Sequence, residues 1–271
     1  MTFRDKLDQA IDRRQSLLCV GLDPDPAKIP AALANESNPV LAFNREIIAA
    51  TADQVCAFKP NFAFFGSLGP AGWATLEQTL AAIPADVPVI LDAKVGDIGN
   101  TAEHYARMFL DRLGADALTV NPYMGRDAVL PFLARQDRGV FLLCLTSNPG
   151  AADFETAALA GGGERLYERV ARQAAAWNSH GNCGLVVGAT RPEAMGELRQ
   201  VAGDMPFLVP GVGAQGGDLR AAVEGGRDRT GRGIIVNVSR GVMYASPGAD
   251  FADAAHRAAE AMRQEINQYR G

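Results

Sequence analysis

Eight short apolar, β-rich runs punctuate the 271-residue chain. They are LLCVGLD (17–23), VCAFKPN (55–61), PVILDAK (88–94), ALTVNPY (117–123), VFLLCLTS (140–147), CGLVVGA (183–189), FLVPGVG (207–213) and GIIVNVSR (233–240). They are continuous more than alternating, the pattern of parallel strands buried on both faces. Most are separated by segments of helical period, each long enough for a crossover helix and two loops. Phe3, Leu7, Ala10 and Ile11 share one face near the start; Leu166, Val170, Ala174 and Trp177 share another. Phe251, Ala255, Ala258, Met262, Ile266 and Tyr269 line a last helix, for which Asp250 is the expected cap; Gly114 after Leu113 reads as a helix stop. Eight β-then-α units predict a (β/α)8 TIM barrel forming a single domain over residues 1–271. A doubly wound open sheet is the alternative. No linker or low-complexity tract marks a second domain, and the stretches 161–163 and Arg227 to Arg232 read as surface loops.

The formal net charge of −5 argues against nucleic acid or an acidic membrane as partner. No apolar run of eighteen residues occurs and the N-terminal stretch lacks a signal core, so a cytoplasmic protein is expected. Cys19, Cys56, Cys144 and Cys183 each lie inside an apolar run and read as small core residues. With no CxxC or HxxxH spacing, no metal site is expected. His104, His180 and His256 fall on helices or loops away from the strand ends.

Six of the eight runs end in polar residues: Asp23; Lys59 with Asn61; Asp92 with Lys94; Asn121; Thr146 with Ser147; Ser239 with Arg240. In a barrel, functional groups collect at the C-terminal ends of the strands, so the active mouth belongs there. LDAKVGDIGNTA (91–102) is the densest such end. Asp92 and Lys94, two apart on a strand, should face the same way. Asp97 follows in a loop that can curl back, and Lys59 ends the preceding strand. Together they predict a Lys–Asp–Lys–Asp array, more costly than useful as a mere rim salt bridge. Alternating charges keep each carboxylate ionised and each lysine protonated. A fixed lysinium can stabilise a carbanion and then protonate it, which suits decarboxylation without an electron-sink cofactor.

VPGVGAQGGDLRAAV (209–223) sets Gly211, Gly213, Gly216 and Gly217 between strand seven and a helix. Such a loop can turn several N–H groups toward an anion. Arg240, at the next strand end, adds a guanidinium fork. Loops after strands seven and eight are the usual phosphate site of this barrel.

With these pieces in order, the chain resembles the orotidine 5′-phosphate decarboxylases, specifically their second, largely bacterial subfamily. The resemblance runs from VGLDPDP (20–26) to SRGVMYA (239–245). FKPNFAFF (58–65), LDAKVGDIGNTA, NPYMG (121–125), TSNPGA (146–151) and PGVGAQGGD (210–218) carry it. It implies decarboxylation of orotidine 5′-phosphate to UMP in pyrimidine biosynthesis, with no cofactor. Asp92, Lys94 and Asp97 match the family's DxKxxD signature, which makes Lys94 the proton donor to C6 of the pyrimidine. Lys59 matches the second lysine, near the ribose, and Asp23 the ribose-binding aspartate. Ser147 matches the reader of the pyrimidine edge, and Gly213, Gln215 and Arg240 lie on the phosphate side. The resemblance further implies a homodimer in which Asp97 and Thr101 reach the partner's site. Departures from the family pattern fall at Gly66, Val95, Gly96 and Val238.

Two rivals stand beside this assignment. One is a Mg2+-dependent sugar-phosphate decarboxylase or aldolase of the same superfamily, which holds the metal partly with an acidic residue at the end of strand two. Lys59 occupies that position and would repel a cation. The other is a non-catalytic phosphate-ligand-binding barrel, against which the intact charge array argues.

Overall fold

The computed structural model describes residues 1–213 and 216–271. Its strands are β1 (Leu18–Leu22), β2 (Ala57–Pro60), β3 (Ile90–Val95), β4 (Ala117–Val120), β5 (Gly139–Leu145), β6 (Cys183–Val187), β7 (Phe207–Val209) and β8 (Ile234–Val238). Every one lies within, or one residue beyond, an apolar run of the sequence. They form a single parallel sheet in the order β2-β1-β8-β7-β6-β5-β4-β3. The two ends meet through the parallel bridges Phe58–Val89 and Asn61–Asp92 and through the Phe58 amide, which donates to the Pro88 carbonyl at 2.9 Å. The sheet is therefore closed into a barrel, and an open doubly wound sheet is excluded. All residues of β1, β6 and β8 are buried, which is why these runs show no polar alternation.

The helix Phe3–Arg14 opens on a capping box between Thr2 and Asp5 and buries Phe3, Leu7, Ala10 and Ile11. Phe3 meets Phe141 of β5 edge-on at 5.7 Å. This contact requires glycine at 139, where a Cβ would stand 2.4 Å from the Phe3 ring. Gly114, with φ +75°, ends the helical turn Arg107–Arg112 as its position suggests.

Two details differ from the helical pattern. In the helix Leu166–Trp177 the buried residues are Tyr167, Ala171 and Ala174. Leu166, Val170 and Trp177 are only partly buried, the last two packed against the core, while the Tyr167 ring and the two alanines take the inward positions. At the head of Phe251–Arg270, Asp250 makes no side-chain cap bond; its Oδ1 accepts from Ser246 Oγ at 2.6 Å. The preceding turn has captured the carboxylate. Residues 161–163 are exposed, as expected. The segment Arg227 to Arg232 is a loop, but a tethered one: Arg232 pairs with Asp12 at 2.6 Å and Asp8 at 3.6 Å on the first helix. The four cysteines are buried free thiols.

Candidate active site

A cleft of about 640 Å³ opens at the C-terminal ends of the strands. Of the residues singled out in the sequence, Asp23, Lys59, Asp92, Lys94, Ser147, Gly213 and Arg240 all line it. Strands β1, β2, β3 and β8 supply or directly precede five of them, so the barrel itself sets their mutual positions.

Asp92 is the centre. It is only 7% exposed, and its carboxylate is fully engaged. Lys59 Nζ donates to Oδ2 at 2.9 Å, and Lys94 Nζ to Oδ1 at 2.5 Å. Thr119 Oγ1 donates to Oδ1 at 2.9 Å, while Asn61 Nδ2 approaches Oδ2 at 3.5 Å. Burial alone would raise the Asp92 pKa, but the two ammonium groups outweigh it and hold the carboxyl well below the usual range. For Lys59, itself buried, desolvation favours the neutral amine. Asp92 and then Asp23 overcome that and keep it charged well above the ordinary lysine range. Asp92 is thus an anion and Lys59 a cation at any pH near neutrality. Lys94 differs in being 47% exposed at its side chain, so one of the two cations faces the open cleft.

Asp92 and Lys94 do converge, though not by simple strand alternation. Along β3 the register against β4 jumps from Leu91–Leu118 to Val95–Val120, so the intervening residues bulge out of the ladder. Lys94 sits at φ +49°, a left-handed conformation that costs a non-glycine residue about 1–2 kcal/mol. The bulge returns its side chain to Asp92.

Asp97 does not join the cluster. Its Oδ1 accepts from the adjacent Ile98 amide at 2.8 Å, and it neither lines the cleft nor forms an ion pair among the described residues. Thr101 is exposed on the helix Gly99–Ala106. Within one chain the array is therefore Lys–Asp–Lys, because the loop after β3 carries Asp97 outward instead of back. Gln215 lies outside the described residues. Gly96 could not carry a side chain without a shift, since a Cβ would come 2.9 Å from the Asn121 carbonyl oxygen.

Three polar residues near the site lack the strand-end position that marks the others in the sequence. Asn237 on β8 is buried and lines the cleft; its Oδ1 and the buried Asp23 Oδ1 have no hydrogen-bond partner among the described residues. Two orphan acceptors beside one cleft leave room for ligand donors. Tyr244 donates its hydroxyl to the Asp23 carbonyl at 3.1 Å and accepts from the Asp25 amide at 2.8 Å, tying down the loop that bears Asp23. Thr119 is the third. The available signal was a polar residue inside an apolar run, as in IIVNV and ALTV, rather than at its end. Among the described residues no cluster of three or more His, Cys, Asp or Glu side chains could hold a metal ion. No helix among them is long and apolar enough to cross a membrane.

Comparison with known proteins agrees with this geometry. The profile of the orotidine 5′-phosphate decarboxylase / HUMPS family matches residues 16–255. Orotidine 5′-phosphate decarboxylase of Ralstonia pickettii is 52% identical over the full length of both chains, and that of Azoarcus sp. 53% identical, also over both full lengths. Among solved structures, the OMP decarboxylase of Leishmania donovani superposes with a TM-score of 0.86 at 43% identity, covering 100% of this chain and 99% of that one. By profile, by sequence and by architecture, the chain belongs to the orotidine 5′-phosphate decarboxylase / HUMPS family.

Proposed function

We propose that this barrel converts orotidine 5′-phosphate to UMP and carbon dioxide with its own side chains alone. The observation that carries this reading is the Asp92 carboxylate held between Lys59 and Lys94 at the cleft. In the reaction the C6–carboxylate bond breaks and carbon dioxide leaves. The electron pair stays on C6, and a proton from Lys94 Nζ completes the product. A fixed ammonium beside that carbon favours the carbanion and needs no reorganisation as charge develops. The substrate carboxylate, placed near Asp92, would be repelled until it leaves as a neutral molecule.

Asp23, whose Oδ1 has no partner among the described residues, suits a ribose hydroxyl donor, and Lys59 bridges that side of the cleft to Asp92. Ser147 is assigned to the pyrimidine edge. The phosphate is assigned to the backbone around Gly213, to Gln215 and to Arg240. Phosphate is remote from C6, so its binding energy acts by orienting the base. Lys59 stands where the Mg2+-dependent relatives would need an acidic group, which weighs against the metal-assisted rival.

The test is a spectrophotometric assay of the purified protein with three arms. Orotidine 5′-phosphate should turn over, and EDTA should leave the rate unchanged. Orotidine without its phosphate should lose at least about 10²-fold in kcat/KM. No turnover of the nucleotide would reject the function, and loss on chelation would favour the metal-dependent reading.

We also assign a homodimer, with Asp97 and Thr101 directed to the partner's cleft. Asp97 is half-buried but makes no ion pair among the described residues, and the adjacent Ile98, with Tyr123 and Met124 after β4, leaves apolar surface exposed. Light scattering should give twice the 28.7 kDa chain mass, and a monomer at micromolar concentration would overturn this assignment. Four free thiols fit a reducing compartment, the cytoplasm.

A further inference from the structure

Thr119 is buried on β4, outside the cleft, yet its one hydroxyl touches both charged residues of the β3 bulge. Its Oγ1 accepts from the Ala93 amide at 3.0 Å and the Lys94 amide at 2.9 Å, and donates to Asp92 Oδ1 at 2.9 Å. A hydroxyl has one donor and two acceptor sites, so all three are used.

The geometry follows from the broken ladder. The register between β3 and β4 skips from Leu91 to Val95, which takes Ala93 and Lys94 out of the regular pairing and leaves Thr119 facing the gap. There the side chain does the work of a missing strand carbonyl. It receives both amides and holds the Lys94 backbone in its left-handed conformation at φ +49°. With its remaining proton it fixes the Asp92 oxygen that also accepts from Lys94 Nζ.

We infer that Thr119 is a positioning residue for decarboxylation, setting the distance and direction of the Lys94 ammonium through the backbone of residue 94 and the Asp92 carboxylate. This rests on the function proposed above. Thr119 contacts no substrate-facing space, so its loss should act on the chemical step and spare binding. Misplacing a reacting group by about 1 Å is enough to cost roughly 10²-fold in rate.

The decisive comparison is Thr119→Val, of matching shape but without the hydroxyl, against Thr119→Ser, which keeps it. For each, kcat and KM with orotidine 5′-phosphate and the Kd for UMP are measured. Thr119→Val is expected to lose about 10²-fold in kcat, with KM and the UMP Kd within about threefold of wild type. Thr119→Ser should recover kcat to within about fivefold. Wild-type kcat in the valine variant, or an equal loss in the serine variant, would overturn the inference, the latter by showing that the methyl matters and not the hydroxyl. Should Thr119→Val fail to fold, Thr119→Ala carries the same expected kcat loss and the same refuting outcome. Failure of the wild-type enzyme to turn over the nucleotide would instead strike the proposed function. In that case crystal structures of wild type and variant decide this inference: an unmoved Lys94 without the Thr119 hydroxyl overturns it.

Discussion

Replacing Lys94 with alanine is expected to lower kcat by about 10⁴-fold or more while UMP still binds. Two contributions vanish together. General acid catalysis by a positioned group is worth about 10²–10⁴, and a preorganised charge at the developing anion about 10²–10³. They share one ammonium group, so the losses overlap and need not multiply. The fold should tolerate the change. The Lys94 side chain is nearly half exposed, Asp92 keeps Lys59 and Thr119 as partners, and alanine still occupies a left-handed position, so the strain persists without new burial. Single-turnover measurements with the nucleotide, beside a UMP titration, separate the two effects. Residual kcat within about 10²-fold of wild type would reject Lys94 as proton donor.

That prediction could be framed from the sequence, and the reasons show how far a sequence reaches. The barrel was legible because parallel strands buried on both faces leave uninterrupted apolar runs, and because their polar ends recur on one side. Lys59, Asp92 and Lys94 were legible because charges at the end of such a run are hard to place anywhere but a site. The bulge was not. It depends on a register jump between β3 and β4 that no local pattern encodes, so the i, i+2 spacing gave the right convergence for an incomplete reason. Asp97 stands apart from the cluster of its own chain for a related cause: loop direction is set by the tertiary frame, and here it leads away from those charges. Asn237 and Thr119 escaped notice because single polar residues within apolar runs usually satisfy themselves. Thr119 does, but by way of β3, and Asn237 Oδ1, beside the cleft, has no partner among the described residues.

Asp92→Asn should be the most destabilising single change at the site, and its pH dependence identifies the cause. Asparagine keeps the shape but leaves the buried Lys59 ammonium without its nearest counterion. Breaking a buried ion pair from one side costs about 3–5 kcal/mol. For a chain of this size that amounts to a fall in Tm of roughly 10 °C. In the wild type the Asp92 carboxyl is held below its unfolded value, chiefly because the lysine charges outweigh burial. Its stabilising contribution is therefore present above the unfolded carboxylate pKa of about 4 and is lost as pH falls through the lower folded value. Lys59 has the opposite sign. Its folded pKa is raised, so its contribution is complete below the unfolded lysine value near 10.4 and fades only as pH rises past it. Between about pH 5 and 9 both groups stay charged, and the stability gap between wild type and Asp92→Asn should be wide and flat. Below about pH 4 the wild type begins to lose what the variant already lacks, so the gap should narrow. Urea unfolding of both proteins from pH 3 to pH 8 measures it. A gap under about 1 kcal/mol at neutrality, or one that does not shrink in acid, would mean that the Lys59–Asp92 pair is solvated in solution. The lysine would then lack the fixed anion on which its orientation toward the cleft depends.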